Sequence, residues 1–565
     1  MIFNLKCFGI MLSAVLILLC GMAQGNSLPN ETDNLSGNNA YRVPDKDLSN
    51  DLSNNLSNNL SKNSALQKVI VNTSSGRVAG LRDGSGLERF LGIPYAGSPT
   101  GSLRLQPPAE PVRWNDTFPA FSFGPVSLQP IDNMEADSTL SRDEDCLSLN
   151  IWTPGTDEKM RPVLFFIHGG GFVEGSSADP DYDGAALSRR GDIVVVTANY
   201  RLGALGFLYL DNYGEKYTGS GNLGLLDQIA ALQWVQKNIK QFGGDPNNVT
   251  LMGESAGSIS ATTLMTIPRA KGLFRRVIAE SGAPNLCHSA EFAENITLRY
   301  MEIAGVKTPE ALSALSASQI IEAQEKLMDE SGVGEEALFA PVIDGAIIAE
   351  NPIDAMAKGA AANISLLEGT NRNEIRYWLL YDQSLLYASP HELFSKFPSV
   401  ESNFGNRQGA IESYYKETNP GPYAGNASLA MATDIAFRLP HIRMAEAQSR
   451  WAPVWSYRFD WATPYDFGLL GAPHSLELPF VFHNFNTNFA SLALGSHPPA
   501  RLLADMQDAW IAFARTGNPN IKDLPTWSRY NSETRATMIF NENCTAENDP
   551  LREVRMLYKG TVLYP

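Results

Sequence analysis

The sequence predicts an α/β fold built on a largely parallel central sheet. Two observations carry this reading. Apolar runs of about six residues alternate along the chain with stretches of helical periodicity. The runs are continuous and rich in β-branched and aromatic residues, as strands covered on both faces require. Such alternation belongs to βαβ units, whose strands lie parallel.

The elements follow in chain order. Residues 1–25 read as an export signal. Lys6 gives a small positive start, Ile10 to Cys20 is an apolar run too short to span a bilayer comfortably, and Ala23 and Gly25 place small residues at a cleavage site. Lipidation of Cys20 is disfavoured because Leu19 precedes it, where a small residue is wanted. Residues 26–66 are a low-complexity, flexible leader in which Leu-Ser-Asn recurs. Isolated leucines among Asn, Ser and Asp bury too little surface to offset chain entropy. Residues 67–565 read as a single large domain. Strands are predicted at Pro162 to His168, Ile193 to Asn199, Val249 to Gly253 and Ile364 to Gly369. A helix is predicted where Leu225, Ile229, Leu232, Val235 and Ile239 recur at three- and four-residue spacing. No further stretch is apolar enough to cross a membrane, so the mature protein is expected to be secreted or periplasmic.

Composition excludes several functions. The net charge of −17 repels phosphate backbones, which argues against a nucleic-acid partner. Seven histidines and five cysteines without a CxxC or HExxH motif argue against a zinc site. Cys146, Cys287 and Cys544 of the domain are expected to be free, since a chain this large needs no covalent staples. Gly219 to Gly224 matches a dinucleotide fingerprint, but no apolar strand precedes it, and it reads as a helix-entry loop.

The chemistry begins at Gly253-Glu254-Ser255-Ala256-Gly257, directly after the Val249 strand and before a helical stretch. This is G-x-S-x-G in its required setting, with Ser255 thrust out on a tight strand-to-helix turn as a nucleophile. A serine needs a base and donors for the oxyanion it creates. His168-Gly169-Gly170-Gly171 supplies bare backbone amides; Gly170, Gly171 and Ala256 are the candidate oxyanion hole. Among the histidines, His474 follows a strand-like segment and precedes an apolar one, which makes it the candidate base. Glu374, just past the Ile364 strand, is a candidate acid that gives the order serine, acid, histidine. Spacing alone leaves Glu368 and Asp382 open. Activity is expected to rise with pH through a midpoint of roughly 6 to 7, as an ordinary histidine is neutralised.

These motifs, together with FLGIPYA, EDCLSLNIW, NYRLGALGF, PVIDG, HSLELPFVF and WIAFARTGNP, resemble the type-B carboxylesterase/cholinesterase family across nearly all of residues 67–565. The resemblance implies an α/β-hydrolase, a mostly parallel sheet flanked by helices with large loop and helix insertions. It also implies Ser255, Glu374 and His474 as triad, with Gly170, Gly171 and Ala256 as oxyanion hole, hydrolysing small-molecule carboxylic esters with no cofactor and no metal. A lipase, or a catalytically inactive adhesion or scaffold relative, is the alternative. Departures from the family pattern favour a general carboxylesterase over a choline-specific one. Ser127 occupies the place of Cys146's usual disulfide partner. Ser127 to Asp145 carries no aromatic residue to grip a quaternary ammonium, and Glu335 and Ala337 replace the expected acyl-pocket aromatics.

Overall fold

The computed structural model describes residues 66–130, 140–331, 338–389 and 407–561. Its core is a thirteen-stranded sheet. Twelve strands lie along its path: β1 (Gln67–Thr73), β2 (Gly76–Arg82), β3 (Glu88–Pro94), β4 (Ser148–Thr153), β5 (Arg161–Ile167), β6 (Val194–Ala198), β7 (Gly244–Glu254), β8 (Arg276–Glu280), β9 (Ser365–Asn371), β10 (Val454–Phe459), β11 (Ala536–Phe540) and β12 (Thr545–Asn548). Their spatial order is β1-β2-β3-β4-β6-β5-β7-β8-β9-β10-β11-β12, and Phe118–Pro119 pairs beside β2. From β6 across to β11 every neighbouring pair is parallel. The two ends of the sheet are antiparallel. Each strand expected from an apolar run forms, within a residue or two at most ends; β7 begins five residues earlier than its run.

The runs are continuous because both faces of the sheet are covered. All seven residues of β5 are buried. Val163, Phe165 and Ile167 enter one core with α1 (Leu223–Asn238) and α2 (Ala256–Leu264), while Leu164 and Phe166 enter a second core. The second core includes Leu502, Met506 and Trp510 of α4 (Ala500–Thr516). Burying one such side chain stabilises the fold by roughly 1.5–3 kcal/mol. A further helix, α3 (Leu439–Gln448), follows a π-turn at Asp434–Arg438.

Polar contacts tie the connections to this frame. Arg201, just after β6, is buried and grips Asp227 of α1 with two side-chain hydrogen bonds of 2.7 Å. The fingerprint-like Gly219 to Gly224 is preceded by short 3-10 turns, and the Asp211 carboxylate accepts from the Gly219 and Ser220 amides. It is a capped helix entry. Cys146, Cys287 and Cys544 are free. Burial pushes the Cys146 thiol up to about 12, against a hydrogen bond from Ser127 that works to lower it. No helix among the described residues is long and apolar enough to cross a membrane. The export signal and leader expected for residues 1–66 lie outside the described residues, Leu66 excepted.

Candidate active site

β7 runs into α2 with Ser255 alone between them. Ser255 has φ 55° and ψ −125°, backbone that L-residues rarely adopt and that costs on the order of 1–3 kcal/mol. The flanking glycines make this turn possible. A Cβ on Gly253 would lie 2.2 Å from the Gly257 carbonyl oxygen, and one on Gly257 would lie 2.0 Å from that of Ile167. The Ser255 amide donates to the Glu280 carbonyl at 2.9 Å, which ties the turn to the end of β8.

The glycine loop follows β5. Its His168 is buried, stacked on Tyr200 at 4.5 Å, with Nδ1 2.8 Å from the Gly169 carbonyl. Burial lowers its pKa to about 4, so it stays neutral and structural. Gly170 and Gly171 have φ of 95° and 56°. A Cβ on Gly169 would lie 3.1 Å from Ser255 Cβ, so this loop abuts the serine. Ala256 is the first residue of α2, and its amide has no intrahelical acceptor.

Glu374 opens a 3-10 helix just past β9, and His474 lies beyond β10. Both are buried. Glu374 Oε2 pairs with His474 Nδ1 at 2.7 Å. Glu374 Oε1 accepts from the Asn371 amide at 2.6 Å and from Ser281 Oγ at 2.7 Å. The two acids left open by spacing are elsewhere. Glu368 pairs with His441, and Asp382 caps a short 3-10 helix through the Ser384 amide. Of the remaining histidines, His391 lies outside the described residues.

Sequence reasoning missed what surrounds His474. Its Nε2 faces Glu254 Oε1 at 3.2 Å, and among the described residues it forms no hydrogen bond with Ser255. Burial works to lower the His474 pKa, but Glu254, Glu374 and Glu477 outweigh it and raise the pKa to about 10. This holds the His474 imidazole above the range of an ordinary histidine, for which a midpoint of roughly 6 to 7 was expected. Burial, with Glu254 and Glu374 beside it, pushes Glu477 up to about 8. Trp378 stacks on the His474 ring at 5.5 Å, with Phe437 at 5.0 Å and Tyr377 at 6.0 Å. Aromatic faces thus reach the site from the segment after Glu374, which the reading of Ser127 to Asp145 did not consider. Residues 131–139 of that loop, and Glu335 and Ala337, lie outside the described residues.

A parallel sheet that delivers a serine turn, a glutamate and a histidine from the ends of β7, β9 and β10 is an α/β-hydrolase. Within that class the chain belongs to the carboxylesterase family, and it is a carboxylic ester hydrolase: residues 67–557 match the Carboxylesterase family model. Among curated relatives, the para-nitrobenzyl esterase of Bacillus subtilis is 39% identical over 500 residues, covering 86% of this chain and 97% of its own. The phenmedipham hydrolase of Pseudarthrobacter oxydans is 32% identical over 84% of this chain and 96% of its own. Among solved structures, a Geobacillus stearothermophilus carboxylesterase matches with a TM-score of 0.78 at 40% identity, covering 86% of this chain and 99% of the other.

Proposed function

We propose that the enzyme hydrolyses esters through an acyl-enzyme on Ser255. In this reading His474 takes the Ser255 proton as Oγ attacks the ester carbonyl. The amides of Gly170, Gly171 and Ala256 receive the developing oxyanion. His474 then protonates the leaving alcohol, and water, activated by the same imidazole, releases the acid. Glu374 holds the imidazole with its proton on Nδ1 and stabilises the imidazolium. The observation that carries the reading is the buried 2.7 Å Glu374–His474 pair beside the strained Ser255 turn.

Residues 67–565 act as one catalytic domain behind an export signal and leader, and the mature enzyme works outside the cytoplasm. Its substrates are uncharged carboxylic esters. The name of the Bacillus subtilis relative makes p-nitrobenzyl esters a reasonable first substrate. The test is Ser255→Ala. We expect loss of turnover on the order of a million-fold with an unchanged thermal transition, and no labelling by a serine-directed phosphonate. Turnover near that of the wild type would refute the assignment.

A further inference from the structure

Behind the nucleophile turn lies a second glutamate–histidine pair. His441, in the first turn of α3, is buried with Glu368 of β9; their side chains are 3% and 2% exposed. Its Nδ1 lies 2.8 Å from Glu368 Oε2. Its Nε2 accepts the Gly282 amide at 2.8 Å. An acceptor at Nε2 puts the ring proton on Nδ1, from which it is donated to Glu368. Both ring nitrogens are committed to protein groups, so this histidine is not a base for substrate.

What it holds is Gly282. The Gly282 carbonyl accepts from Ser258 Oγ of α2 at 2.5 Å, so both of its backbone polar groups are engaged. A Cβ on Gly282 would lie 2.3 Å from the Ser255 carbonyl oxygen and 2.7 Å from Ser258 Cβ. Its backbone therefore presses on the turn that carries the serine. One residue earlier, Ser281 has φ 50°, and its hydroxyl donates to Glu374 at 2.7 Å. One residue before that, the Glu280 carbonyl accepts the Ser255 amide at 2.9 Å. Three consecutive residues thus touch the serine turn, the acid and His441. The π-turn leading into α3 also carries Phe437, whose ring packs on His474.

We propose that His441 is a positioning residue for ester hydrolysis. With Glu368 it clamps the Gly282 amide and so holds residues 280–282 against both Ser255 and Glu374. The proposal rests on the assignment of those two residues to the triad. A buried amide that loses its acceptor is destabilised, and because Gly282 lies against the serine turn, any shift it makes to find another is felt there.

The experiment compares His441→Leu with His441→Gln. A glutamine amide offers one acceptor for Gly282 and one donor for Glu368, the pattern of the neutral imidazole; leucine offers neither. The readouts are kcat and KM on p-nitrophenyl butyrate, the rate of phosphonylation at Ser255, and thermal unfolding. We expect H441L to lose about tenfold or more in kcat with KM nearly unchanged, and phosphonylation to slow in parallel. H441Q should stay within about threefold of the wild type. A folded H441L with undiminished kcat, or a folded H441Q as impaired as H441L, overturns the clamp. If H441L does not fold, Glu368→Gln decides: a fall in kcat at constant KM supports the clamp, and an unchanged kcat overturns it. A wild-type enzyme that takes up no phosphonate at Ser255 would instead refute the catalytic assignment, a result read before any variant is made.

Discussion

Replacing Glu254 by Gln should move the pH dependence of ester hydrolysis toward acid. In the proposed mechanism His474 must be unprotonated at Nε2 to act as base, so activity should be lost as pH falls through its pKa. Three carboxylates raise that pKa to about 10 against the opposing effect of burial. Glu254 is the one that faces Nε2, at 3.2 Å. At an effective dielectric constant of about 20, one charge at that distance favours the imidazolium by roughly 5 kcal/mol, or about 4 pKa units. Part of this is returned. Glu477 is held up to about 8, after burial, by Glu254 itself, and it ionises more readily once that charge is gone. The net shift expected is therefore about 2 to 3 units downward. Gln preserves the shape of the side chain and can still accept from Ser475, which donates to Glu254 at 2.7 Å. The assay is kcat/KM for p-nitrophenyl butyrate from about pH 5 to about pH 11, corrected for spontaneous hydrolysis, in both enzymes. Midpoints that coincide within about 0.3 unit would refute the reasoning, because they would mean that Glu254 does not face the imidazole in the working enzyme.

Other perturbations probe the frame. Gly257→Ala should cost about 3 kcal/mol or more in urea unfolding, because its Cβ would meet the Ile167 carbonyl at 2.0 Å. Asp227→Asn should destabilise by about 3 kcal/mol in the same assay, since it leaves the buried Arg201 guanidinium without its counter-charge. A chain beginning at Ala65 should fold and keep its turnover, because residues 26–64 hold few apolar groups to pack; loss of folding would show that the leader docks on the domain.

Features that depend on local pattern were legible in the sequence. The central strands announce themselves because both faces of β5 and β6 are covered, which leaves no polar face to interrupt the apolar run. The serine turn is legible because only glycines fit on either side of it. What was not legible depends on distant segments meeting. Spacing could not separate Glu374 from Glu368, six residues apart on and just after one strand. The fold separates them by sending one to His474 and the other to His441. Glu254 and Glu477 stood inside recognised motifs, yet their effect on the imidazole appears only once the ends of β7 and β9 and the segment after β10 are brought together. Tyr377, Trp378 and Phe437 carry no motif. An aromatic residue reads the same in sequence whether it fills a core or walls a site.

The order in which the site draws on the chain bears on how the enzyme gains activity during folding. Glu374 and His474 meet across 100 residues, Ser281 reaches Glu374 across 93, and Trp510 of α4 reaches back 230 residues to Glu280 beside the serine turn. Closure of parallel pairings at such separations is slow, because the loop entropy is lost before the contacts form. A nascent or refolding chain can complete β1 through β8 and still lack the Glu374–His474 pair. With Glu374 and His474 in the proposed roles, recovery of esterase activity would time the docking of the last third of the chain, and burst labelling of Ser255 during refolding would separate that event from earlier collapse.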